Sequence, residues 1–199
     1  MRTLVLICLA FLLAASQLAA AQTMADADRA LGNREYERAR AMLESLARQG
    51  YTDAEFKLAG MYVDAVGIPR NLDRGMNLYE SAARKGHAGA MFFLATELNR
   101  GVLLKTDKKR ALALLRTSSK LKNPAAQYAL CEELSRETGD AYDPAEAYAW
   151  CVTSTNRSHK NAGEAARLGK SILAKLQESK GAEAVQEARN RAANYTKAY

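Results

Sequence analysis

Three stretches of the chain repeat one another at a spacing of 36 residues without a slip in register. Ala54, Ala90 and Ala126 form one column, and Leu58, Leu94 and Leu130 a second. Asn71, Asp107 and Asp143 form a third, and Gly75, Ala111 and Ala147 a fourth. Self-similarity of this length is the signature of a stacked array of helix pairs. One helix pair cannot bury its apolar stripe alone, so each repeat leans on its neighbours and the stack presents a long shared surface. The predicted class is all-α, an α/α superhelix of about three full helix-pair repeats with flanking capping helices.

Hydrophobic periodicity and cap residues place the elements. A first helix of each repeat is expected over 53–64, 89–100 and 125–137, and a return helix over 72–85, 108–121 and 144–156. Asp107 and Asp143 stand where an N-cap is needed, with Pro144 at the first helical position. Gly86 ends one return helix, and Gly50 ends an earlier helix over 34–49 that matches half of a repeat. The repeats run 54–89, 90–125 and 126–161, with 24–53 as an N-terminal cap and half repeat. Residues 162–199 read as capping helices broken at Gly181. No Pro- or Gly-rich linker divides residues 22–199, so they read as one domain.

The N-terminus reads as an address. Arg2 precedes an apolar run from Leu4 to Ala15, and Ala19, Ala20 and Ala21 precede Gln22. This is the pattern of a secretory signal peptide over 1–21, and the run sits at the short edge of what a membrane span needs. The expected location is therefore periplasmic or secreted, with no membrane span after cleavage. Removal of Cys8 with the leader leaves Cys131 and Cys151 in an oxidising compartment. Antiparallel pairing of the third repeat's two helices puts these two positions opposite one another. They read either as a disulfide stapling that pair or as two small buried thiols. Cys131 shares a column with Ala59 and Ala95, and Cys151 with Tyr79 and Leu115, so both columns should be core.

Formal net charge is +7. The basic residues are spread along the helices except for Lys105, Lys108, Lys109 and Arg110, the one cluster. Export makes nucleic acid the least suitable partner. Such a surface reads as ordinary solvated charge that keeps the chain soluble, with an acidic envelope glycan or peptidoglycan as the alternative ligand.

Chemistry-bearing motifs are sparse. Ser119 and Lys122 make a Ser-x-x-Lys run without the companion elements that a penicillin-recognising or other cell-wall enzyme would carry. His87 and His159 lack helical partners at ligand spacing, so no metal and no cofactor is expected. Asn156 and Asn194 fit the glycosylation pattern, without further support. One constellation points to binding. Phe56, Phe92 and Tyr128 share a column turned away from the inward stripe. Beside it run Lys57, Phe93 and Ala129, then Gly60, Thr96 and Glu132, then Asp64, Arg100 and Arg136. Such a column either packs between neighbouring helices or floors a groove that accepts a peptide. The candidate groove residues are Phe56, Lys57, Phe92, Phe93, Tyr128 and Glu132.

The columns resemble the Sel-1-like repeat, a relative of the tetratricopeptide repeat. The first full repeat keeps Ala54, Leu58, Tyr62, Gly67, Gly75, Tyr79, Ala82, Ala83 and Gly86, and the third keeps Ala126, Tyr128, Leu130, Asp143, Ala147 and Trp150. Ala59, Ala95 and Cys131 replace the family glycine, and Leu103 stands where the second repeat's loop glycine belongs. The resemblance implies a right-handed superhelix that works as a non-catalytic adaptor for a protein or peptide partner, in bacteria often exported.

Overall fold

Helices in this chain start and stop by one rule applied at 36-residue intervals. The computed structural model describes residues 23–139, 141–155 and 161–199. The predicted leader, its cleavage point before Gln22, Asn156 and His159 lie outside them. The chain divides into two compact units, Met1–His87 and Ala88–Tyr199.

The first unit holds α1 (23–32), α2 (Tyr36–Arg48), α3 (Thr52–Asp64) and α4 (Leu72–Arg84). The second holds α5 (Ala88–Arg100), α6 (Lys108–Lys120), α7 (Pro124–Leu134), α8 (Pro144–Thr155) and α9 (Ala162–Ala198). All regular structure among the described residues is helical. α9 is two helices merged across Gly181, whose φ of 81° breaks the helical path where the sequence expects a break.

Return helices begin on a side-chain cap. The Asn71 side chain accepts from the Arg74 amide, Asp107 from the Arg110 amide and Asp143 from the Glu146 amide, each at 2.9 Å. The amides of these same cap residues bond back to Tyr62, Leu98 and Leu134 carbonyls at 3.0, 3.2 and 3.0 Å, which fixes the loop to the end of the preceding helix. Each cap thus satisfies an otherwise orphaned first-turn donor.

The ends follow the same logic. Gly50, Gly86 and Lys122 occupy one column and all have positive φ, 91°, 94° and 67°. The amides just beyond them bond back to Leu46, Ala82 and Ser118 carbonyls at 3.1, 2.9 and 3.2 Å, closing left-handed caps. Glycine adopts this conformation freely, so the second full repeat places a lysine where the backbone favours glycine.

α7 is shorter than the sequence pattern suggests and stops at Leu134, not near Glu137. Ser135 ends it: its amide bonds to the Cys131 and Glu132 carbonyls, and its hydroxyl donates to the Glu132 carbonyl at 2.8 Å. A side chain competing for a last-turn carbonyl replaces the next turn of helix.

Cores form in each unit from the predicted columns. Ala59, Ala95 and Cys131 have no exposed surface, and Tyr79, Leu115 and Cys151 are 4%, 2% and 1% exposed. Cys131 and Cys151 are joined as a disulfide, with Cα atoms 5.1 Å apart, which ties α7 to α8. Close approach of α3 and α4 depends on Gly75, where an added Cβ would lie 2.6 Å from Val63 Cγ2.

Ion pairs across adjacent return helices fix stacking register. In the first unit the Glu44 carboxylate on α2 accepts from Arg74 of α4 at 3.0 Å and from the Tyr62 hydroxyl at 3.1 Å. In the second unit Arg116 of α6 pairs with Glu146 of α8 across the same 30-residue offset, with the charges exchanged.

Candidate functional site

The second unit carries a cleft with an apolar floor and a charged rim. α5 supplies Phe92, Thr96, Asn99 and Arg100; α6 supplies Leu115; α7 supplies Ala129, Glu132 and Glu133, and the segment just after it Arg136. Its volume is ≈ 390 Å³. The positions follow from helical spacing: Phe92, Thr96 and Asn99 recur every three or four residues along one face of α5, and Glu132 and Glu133 stand three and four residues after Ala129 along α7. Leu94, Ala95, Leu130 and Cys131, turned inward, are buried beneath them.

The rim is built from repeated ion pairs. Arg100 donates to Glu97 at 3.2 Å and Arg136 to Glu133 at 2.8 Å, each three residues back in sequence. Both arginines keep 61% of their side-chain surface exposed, so they are oriented yet still open to a ligand. Glu97 is 4% exposed and its Oε2 has no hydrogen-bond partner among the described residues. Phe92 binds the Thr96 hydroxyl through its carbonyl at 2.9 Å, which turns that hydroxyl back to the helix. Glu132 accepts from the Tyr128 hydroxyl at 3.1 Å. Burial, reinforced by the Glu132 charge and hydrogen bond, pushes the Tyr128 phenol up to about 12. It is therefore a neutral donor at any physiological pH.

The structure divides the predicted groove residues. Phe92 and Glu132 line the cleft, and Tyr128 reaches it through its bond to Glu132. Phe93 is half-buried and does not line it. Phe56 and Lys57 belong to the first unit. There Phe56 stacks on the His87 ring, centroids 4.5 Å apart, and meets Tyr79 edge-on at 5.6 Å. Lys57 pairs with Asp28 of α1 at 2.6 Å. One sequence column thus packs in one unit and floors a cleft in the other. Asn99, Glu133 and Leu115 were not among the sequence candidates. Arg100 and Arg136 did carry a signal, since they share a column beside the aromatic one.

Other candidate chemistry falls apart on geometry. Ser119 is fully buried with its hydroxyl unpartnered among the described residues. Lys122 lies beyond the end of α6 in the left-handed turn and is exposed, so serine and amine do not share a helical face. His87 pairs with Asp53 at 3.1 Å. Among the described residues no group of three or more His, Cys, Asp or Glu side chains is placed to hold a metal ion. None of the described helices is long and apolar enough to cross a membrane.

Comparison with known proteins fits these features. No curated protein matches the chain. Among solved structures, a Sel1 repeat protein from Oxalobacter formigenes is similar at 24% identity and a TM-score of 0.59, over 64% of this chain and 95% of that one. A protective antigen of uropathogenic Escherichia coli with the Sel-1-like repeat fold is similar at 21% identity and a TM-score of 0.50, over 81% of this chain and 41% of its own length. At these identities the likeness speaks for the fold. The Sel1 repeat itself matches residues 29–51, 52–87, 88–123 and 124–152, most of the described chain, with the first match falling on the predicted half repeat. With its columns, caps and helix pairs repeating in the same register, the chain belongs to the Sel1 repeat family.

Proposed function

We propose that this protein is an exported, non-catalytic adaptor whose second unit holds a peptide segment of a partner in the α5–α7 cleft. Sel1 repeat proteins are generally protein-interaction scaffolds. The observation that carries the site is the pairing of an apolar floor, Phe92, Leu115 and Ala129, with a rim holding both charge signs, Arg100 and Arg136 beside Glu132 and Glu133. A floor of this kind takes an apolar side chain, and the mixed rim sets the direction of the segment that carries it. Export is supported by the leader-like N-terminus and by the Cys131–Cys151 bond, which suits an oxidising compartment.

Crosslinking and affinity capture from the cell envelope test the reading. The partners captured by the native protein are expected to be lost with Phe92→Ala or with Arg100→Glu combined with Arg136→Glu, while helicity is retained. Capture of the same partners at unchanged yield by both variants would overturn the site.

A further inference from the structure

Two junctions in the second unit correspond at 36-residue spacing, sharing Leu98 with Leu134 and the cap Asp107 with Asp143, and the later one is covered by this chain's α9. Between α7 and α8, Arg191 of α9 donates to Asp143 at 3.0 Å. Tyr195 and Tyr199 lie against Trp150, edge-on at 4.8 Å and stacked at 5.4 Å. Glu146, 7% exposed, accepts from the Trp150 indole at 3.2 Å and pairs with Arg116. The acids of this junction are therefore met by arginines, and its indole by tyrosines.

Between α5 and α6 the corresponding positions line an open cleft of ≈ 530 Å³. Leu98 and Leu104 form its floor, and Lys105, Thr106, Asp107 and Arg110 its walls. Its surroundings are more basic than those of the covered junction, although Asp107 keeps the place of Asp143. Lys105 stands where that junction has Ala141, Lys108 and Lys109 where it has Pro144 and Ala145, and Arg110 where it has Glu146. Lys105, Lys108 and Lys109 are exposed and make no ion pair among the described residues, and Asp107 uses an oxygen to cap α6. The loop is held in shape: Gly101 has φ 69°, and any side chain there would collide with Thr106. At its tip Val102 remains 66% exposed.

We infer that the α5–α6 junction is a second docking site, which takes an acidic segment of a partner protein carrying an apolar side chain among its carboxylates. The inference rests on the reading of this chain as an interaction protein, but not on the α5–α7 cleft. Charge decides the occupant. The covered junction presents carboxylates and receives the basic end of α9; the open one presents cations and repels that same sequence, which carries Arg189, Arg191 and Lys197. Shape separates a peptide from a bilayer or a hydrated polymer. The cleft is concave with a leucine floor, which a side chain fills and a flat or hydrophilic surface does not.

The probe is a labelled peptide of residues 182–199 with Arg189, Arg191 and Lys197 replaced by glutamate, compared with the unaltered sequence. Binding to the purified protein is read by fluorescence anisotropy at about 150 mM salt, where long-range attraction between exposed charges is largely screened. The reversed peptide is expected to bind at least about tenfold more tightly than the unaltered one. Lys105→Glu with Lys109→Glu, both exposed, should weaken it by about tenfold or more, since the loss of two charge contacts at roughly fivefold each multiplies to about 25-fold. Arg100→Glu with Arg136→Glu should leave it unchanged, so failure here and failure of the α5–α7 site are distinguishable. Equal binding of the two peptides would overturn the inference. So would indifference to the lysine changes, or binding of phosphatidylglycerol vesicles or an acidic polysaccharide through these lysines when the peptide shows none.

Discussion

Phe56→Ala and Phe92→Ala should separate, although the two phenylalanines stand in one sequence column. Phe56 is half-buried between two rings, stacked on His87 and edge-on to Tyr79. Truncating a fully buried phenylalanine costs about 3–5 kcal/mol. Half burial reduces that to roughly 1.5–2.5 kcal/mol, and two aromatic contacts at about 0.5–1.5 kcal/mol each bring the expected loss to about 2.5–5.5 kcal/mol. Phe92 lines the cleft and touches the core only along one side, so its loss should cost about 1–2 kcal/mol. For a chain of this size about 1 kcal/mol moves the melting temperature by roughly 2–4 °C. Phe56→Ala is expected to melt roughly 5–20 °C below the native protein, and Phe92→Ala a few degrees below. Far-UV circular dichroism reads the loss of helix in both. Phe56→Leu restores apolar volume without the ring contacts and should recover about half the deficit. The reasoning is refuted if Phe92→Ala is the more destabilised variant, or if Phe56→Ala melts within about 2 °C of native, because then stacking on His87 and Tyr79 holds nothing in place.

Peptide mapping without reductant of protein from its native compartment should recover Cys131 linked to Cys151, with intact mass starting at Gln22. Replacing both cysteines by serine should destabilise by roughly 3 kcal/mol in the chain-entropy picture of a closed loop this long, read by urea denaturation. Lys122→Gly should stabilise by about 0.5–1 kcal/mol, since the column already holds Gly50 and Gly86 and the backbone there has φ 67°; a melting temperature equal to or below native argues against strain at that turn. Tyr79 is pushed up to about 12 by burial and then by the nearby Asp64 charge. Its folded-state value lies above the unfolded one, so the stability it contributes is present below pH 10 and is lost as pH rises towards 12. Absorbance titration should find Tyr79 ionising about two units above the exposed tyrosines in native protein and with them in denatured protein.

What the sequence alone determined is what local rules carry. A helix start needs an acceptor for orphaned amides, so Asp107 and Asp143 marked two return helices that the structure starts at the expected residues, and Asn71 of the same column caps a third. A left-handed turn favours glycine, so Gly50 and Gly86 marked two ends. The third end, at Lys122, was not visible in residue type because a lysine there takes the left-handed conformation, with φ 67°, that glycine usually supplies. Helical spacing alone put Ala59, Ala95 and Cys131 in the core.

Tertiary structure decided which exposed columns are sites. Phe56, Phe92 and Tyr128 look alike along the chain, and their roles diverge only because their neighbours come from other helices. His87 and Tyr79 close over Phe56; Ala129 and Leu115 leave space beside Phe92; Glu132 takes the Tyr128 hydroxyl. Likewise nothing in residues 105–110 distinguishes an ordinary solvated cluster from a cleft wall until the equivalent junction is seen beneath α9. A repeat fixes each side chain's direction through its own backbone, whereas the space in front of that side chain belongs to residues distant in sequence.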